Sequence, residues 1–235
     1  MSRVAVLLHG AGSCPETVER LLGPAVPPAA QVRSPAWRGS VETAVGALER
    51  ELAELERAGD DLVLVGGVSL GAHAAALWAA RTRSTTPLAL AMPAWTGAPD
   101  AVAGATLAAA DDVAARGAAG VLAGIAADPA TEGDWVLDEL ACGWAGYDDE
   151  ALVRSLREAA ASSAPDAQDL ALVRGPAAVV ALADDPLHPE QVAQLWAARI
   201  AHARLTVVAR HAPHDDRGAL GRAAAQSLGE LSGSR

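Results

Sequence analysis

The chain has 235 residues, half of them hydrophobic and a fifth charged, a balance that fits one globular domain with a sizeable core and excludes a disordered polymer. The net charge of −11 speaks against nucleic acid as a partner, because phosphate binding needs clustered basic side chains. All 18 basic residues are arginine, so a phosphate-loop lysine, a Schiff-base lysine and a lysine general base are excluded.

No apolar run approaches the ~20 residues that span a bilayer. The short run at 4–8 ends at His9-Gly10 with no small-residue cleavage site, so no secretory signal is read. A cytoplasmic protein without a membrane partner is expected. Cys14 and Cys142 show neither CxxC nor framework spacing, and reduced thiols are the expectation.

In chain order, Val4-Ala5-Val6-Leu7-Leu8 reads as a buried strand that runs out into the loop His9-Gly10-Ala11-Gly12. Pro15 opens a helix toward Leu22, with Gly23-Pro24 as its stop. A weak strand follows at 31–33. Residues 41–58 carry apolar side chains at helical spacing (Val41, Ala44, Val45, Leu48, Leu52, Leu55), and Gly59 ends that helix. Leu62-Val63-Leu64-Val65 is the strongest strand signal. It passes through Gly66-Gly67 into a helix from Leu70 to about Thr82. Further strands are predicted at 87–92, 177–183 and 205–208, and a closing helix at about 218–231.

Unbroken apolar strands alternating with helices imply a parallel sheet covered on both faces. The alternation fails once, over about 95–176. That stretch is Ala- and Gly-rich, helical at 148–161, and holds Trp135, Trp144 and the only tyrosine, Tyr147. It is too long for a simple connection, and an inserted helical cap within a single 1–235 domain is expected.

Four segments carry chemistry. Gly67-Val68-Ser69-Leu70-Gly71 lies between a strand and a helix, a setting that places a serine Oγ at the apex of a sharp turn with helix N–H groups beside it. The loop after the first strand offers the N–H of Ala11 as a second donor toward a developing oxyanion, beside that of Leu70. Asp184 and Asp185 follow a strand, where a carboxylate can orient a histidine. His211 and His214 follow the last strand, where a general base would complete the order Ser…Asp…His. No further His/Asp cluster has metal-ligand spacing, and neither a metal nor a cofactor is expected.

Taken together, these segments resemble the α/β-hydrolase superfamily over nearly the whole chain. His9-Gly10-Ala11-Gly12 is similar to its HGxG oxyanion loop, Gly67 to Gly71 to its nucleophile elbow, and Asp185-Pro186-Leu187-His188-Pro189 to its acid loop. The resemblance selects Asp185 over Asp184. By loop length it selects His214 over His211, although the family's Gly-His is missing at that place. The family's initial antiparallel strand pair is also missing, which implies a shortened, mostly parallel sheet of about six strands.

The resemblance implies a Ser69–His214–Asp185 triad with Ala11 and Leu70 as backbone oxyanion donors. Ester or thioester hydrolysis of a small to medium acyl substrate is the leading expectation, with the insertion and Trp95, Trp135 and Trp144 shaping its pocket. Acyl transfer, C–C hydrolysis, cofactor-free peroxidase chemistry and non-catalytic ligand binding are the alternatives carried by the same fold.

Overall fold

The computed structural model describes residues 1–128 and 135–233; residues 129–134 of the predicted insertion lie outside that set. Six strands form one sheet: β1 (Arg3–Leu8), β2 (Gln31–Arg33), β3 (Asp61–Val68), β4 (Leu88–Ala91), β5 (Ala177–Leu182) and β6 (Ala203–Val208). Their order is β2-β1-β3-β4-β5-β6, and every pairing is parallel.

The unbroken apolarity of the central strands has a direct physical reason. Along β1, Val4, Val6 and Leu8 enter the core on one face of the sheet while Ala5 and Leu7 enter the core on the other. The same alternation divides Ala177, Val179 and Ala181 of β5 from Ala178, Val180 and Leu182. With both faces covered, no position is left for a polar side chain.

Helices α1 (Pro15–Leu22) and α10 (Ala219–Gly233) supply residues to one of these cores. Helices α2 (Val41–Ala58), α3 (Leu70–Thr82) and α8 (Glu190–Arg199) supply the other. The α2 helix starts on a Ser40–Thr43 capping box and stops at Gly59, whose φ of 69° is the left-handed conformation that glycine adopts without strain. Gly23 does not stop α1 outright. The chain continues into a 3₁₀ turn over Gly23–Ala25 before it leaves the helix axis. The α3 helix is apolar all round and buried from Leu70 to Ala80, a central rather than a surface helix.

Between β4 and β5 lie α4 (Ala101–Ala127), α5 (Trp135–Trp144), α6 (Asp149–Ala160) and α7 (Ala167–Leu172). Ala110, Val113 and Val121 of α4 join Trp144 of α5 and Leu152 and Leu156 of α6 in a third core, separate from the two that flank the sheet. The α7 helix does not share it: Leu170 packs in the same core as α3 and α8. Gly117 breaks α4 at φ 71°, ψ 157°, and the Asp149 carboxylate accepts from the Ala118 N–H at 2.9 Å to cap the second half. Among the described residues no helix is long and apolar enough to cross a membrane.

After β6 the chain makes one helical turn, α9 (Ala212–Asp215), before α10.

Candidate active site

β1 and β3 are neighbours, and the chain runs outward from them in opposite directions, to β2 on one side and to β4 on the other. Their C-terminal ends therefore mark a topological switch point, the place where open parallel sheets leave a crevice. Leu8 pairs with Gly67, so the loops carrying Gly10 and Ser69 leave the sheet side by side.

Ser69 has φ 55° and ψ −121°, a backbone state that costs a non-glycine residue of order 1–3 kcal/mol and needs firm surroundings to persist. Those surroundings require glycine. A Cβ on Gly67 would lie 2.2 Å from the Gly71 carbonyl carbon, and one on Gly71 would lie 2.1 Å from the Leu8 carbonyl oxygen. The Ser69 N–H donates to Ala91 O at 2.9 Å, tying the turn to β4.

The side chain set against Ser69 is His188. The Ser69 hydroxyl lies 3.1 Å from His188 Nε2, and His188 Nδ1 lies 3.1 Å from Asp185 Oδ2. The second carboxylate oxygen of Asp185 accepts from the Leu187 N–H at 2.9 Å, which closes the turn that brings residue 188 back over residue 185. The His188 and Asp185 side chains are only 15% and 10% exposed. Burial pushes the Asp185 carboxyl up, but His188, the Leu187 N–H and the Arg210 charge outweigh it, and the group sits below its ordinary range. With Asp185 ionised, the imidazole proton belongs on Nδ1 and Nε2 is left to accept from Ser69. Asp184 has φ 55° and is exposed; its carbonyl accepts from Arg210 at 3.1 Å.

The structure thus brings together Ser69 and Asp185 from the sequence-predicted set and corrects the histidine. His214 is exposed on α9, as is His211 just before it, and neither hydrogen-bonds to Ser69 or Asp185. The α9 turn buries Pro213 and directs the histidines on either side of it outward. From the segment after β6 it is Arg210 that lines the pocket. His188 lies in the same five-residue segment as the predicted acid and also satisfies the order Ser…Asp…His. Its spacing of three from Asp185, across a proline turn, is the signal that could have found it.

Ala11 and Leu70 both line the pocket beside Ser69. Leu70 opens α3 immediately after Ser69, and Ala11 lies in the neighbouring loop. That loop is held by His9, which is buried and stacked on Trp37 at 5.1 Å. His9 Nδ1 donates to Gly10 O at 2.8 Å, and Nε2 accepts from the Trp37 N–H at 3.3 Å.

Ser69 and His188 open onto a pocket of about 640 Å³. Its walls are mostly apolar and come from both halves of α4, from α5 and from the sheet loops, with Trp95, Trp135 and Trp144 all contributing. Among the described residues no group of three or more His, Cys, Asp or Glu side chains is placed to hold a metal ion.

Behind the elbow, His73 of α3 is fully buried, with its ring 5.0 Å from Trp95 and its Nε2 accepting from the Ala94 N–H at 3.0 Å. Burial, aided by the nearby His188, pulls its pKa down to about 3. The unfolded chain therefore binds a proton here that the folded chain refuses between about pH 3 and 6.5. Stability should fall by up to about 1 kcal/mol per pH unit as pH drops through that window. Thermal unfolding across the window should show a shallower slope in His73→Gln, which keeps an acceptor for Ala94.

No protein-family model matches the chain, and no curated protein matches it. Solved structures do. The enol-lactonase from Burkholderia xenovorans LB400 is similar at a TM-score of 0.73 and 17% identity, with 99% of this chain and 92% of that one covered. MenH from S. aureus is similar at 0.71 and 15% identity, covering 98% and 94%. A thermophilic esterase from Thermogutta terrifontis gives 0.66 and 18%, covering 100% and 89%. The described residues have the α/β-hydrolase fold.

Proposed function

We propose that the chain is a serine hydrolase that cleaves esters or thioesters of small to medium acyl groups. The observation that carries this reading is the continuous Ser69–His188–Asp185 hydrogen-bond relay, mounted on a strained elbow at the mouth of an apolar pocket. That hydrolases, esterases and lactonases of the same fold are among its structural neighbours supports it.

In this chemistry His188 Nε2 takes the Ser69 proton as Oγ attacks the acyl carbon, and the Nδ1–H stays on the imidazole, held by Asp185. The carbonyl oxygen becomes an oxyanion that accepts from the N–H groups of Ala11 and Leu70; each such donor is typically worth ~10²–10³ in rate. His188 then gives its proton to the departing alkoxide or thiolate. Water attacks the acyl-Ser69 ester by the reverse proton path and releases the acid. The pocket walls supply apolar burial for the acyl chain, roughly 0.8 kcal/mol for each methylene taken out of water.

A fluorophosphonate probe tests the reading. Wild type should label at one site, and Ser69→Ala should not label at all. Wild-type protein that stays unlabelled, while a known serine hydrolase beside it reacts, would remove the nucleophile.

A further inference from the structure

We infer that Cys14 and Cys142 form a disulfide site that fastens α5 to the start of α1. The two thiols are 128 positions apart in sequence, yet their sulfur atoms lie 3.2 Å apart. Both side chains are partly exposed, so a small oxidant can reach them.

The pairing follows from a close approach of two backbones. Gly143 sits against the loop that precedes α1, where an added Cβ would lie 2.5 Å from Gly12 O and 2.7 Å from Ser13 Cα. With no side chain between the segments, the residues next to them, Cys142 and Cys14, meet directly. A polar chain continues from the pair along both helices. Cys14 Sγ lies 3.4 Å from Thr17 Oγ1, Arg20 Nη2 donates to that same oxygen at 3.4 Å, and Arg20 also pairs with Glu139 at 2.6 Å. Glu139 is buried on α5 and takes a second arginine, Arg217, at 3.3 Å. The two helix faces are thus held in register by ionic contacts before any bond between the sulfurs forms.

The oxidant belongs to the class of low-molecular-weight disulfides. Burial pushes the Cys14 thiol up, and the Arg20 guanidinium lies beside Cys142, which makes the first attack. Cys142 gives up its proton and attacks one sulfur of the small disulfide; that S–S bond breaks and one small thiolate leaves with the electron pair. Cys14, deprotonated in turn, attacks the Cys142 sulfur and expels the second small thiolate. The two cysteine protons end on the two released thiols. One small disulfide is reduced, and one protein dithiol is oxidised.

This site is independent of the chemistry proposed for Ser69, and its test reads the sulfurs alone. The full chain is incubated with oxidised glutathione and then measured by intact mass, thiol titration after denaturation and peptide mapping. The expected product has lost two hydrogens, titrates no thiol, carries no glutathione and yields a peptide joining Cys14 to Cys142. Its Tm should exceed that of the reduced chain by about 5–10 °C and return on reduction. Cys14→Ser and Cys142→Ser should each end with one glutathione adduct and no such gain. Wild-type protein that keeps both thiols, carries glutathione on either cysteine, or links to a second chain overturns the proposal.

Discussion

His188→Ala is expected to lower kcat on an activated ester by about 10⁴–10⁶-fold, while His211→Ala and His214→Ala stay within about twofold of wild type. The size of the effect follows from the dual duty of the ring. In the proposed chemistry it removes the proton that makes Ser69 Oγ nucleophilic and returns it to a leaving group that is otherwise too basic to depart. No other imidazole shares that position: His73 is buried behind the elbow with its Nε2 committed to Ala94, and His211 and His214 are exposed around the α9 turn. Steady-state turnover and the rate of fluorophosphonate labelling, measured on all three variants, give the comparison. A loss in His214→Ala as deep as that in His188→Ala would put the base on the segment after β6.

Gly71→Ala should be among the most destabilising single-atom additions available to the fold, at about 3–5 kcal/mol and a fall in Tm of roughly 10 °C. The new Cβ would meet Leu8 O at 2.1 Å and His9 O at 2.5 Å. Both belong to backbone at the end of β1, which cannot swing aside as a side chain would. The strand and α3 would have to part, and parting them opens the loop that carries Ala11. Gly229→Ala at an exposed position of α10, with nothing within 4 Å of the added atom, is the control; it should gain about 0.5–1 kcal/mol from helix propensity alone. Equal Tm values for the two variants would mean that β1 and α3 tolerate separation.

These two positions mark what could and could not be read along the chain. The elbow was legible because its geometry leaves only one residue type at positions 67 and 71, and the composition of the turn reports that restriction directly. The central strands β4 and β5 were legible because burial on both faces leaves them no polar residue. The histidine was not legible, since hydropathy says which residues are covered but not which way an exposed loop turns. Val207 and Val208 pointed to the segment after β6, yet it is the Pro186 turn that brings a ring back over Asp185. The inserted helices were readable as a break in the alternation, but not the return of Leu170 to the sheet core. Contacts such as Cys14 with Cys142 depend on two distant backbones touching, and no local pattern encodes that.

Because Asp185 and His188 ride on one short turn, they move as a unit. When the loop shifts, the distance between carboxylate and imidazole is carried along, and the separation from Ser69 alone changes. In the proposed chemistry, readiness for proton transfer then reduces to a single coordinate, the gap between two loops, where a histidine on β6 would have required three segments to converge. From the segment after β6 only Arg210 reaches this pair, through its charge on Asp185 and its hydrogen bond to Asp184 O. With Arg210 kept, the exposed residues around α9 can be redrawn without touching the Asp185–His188 contact.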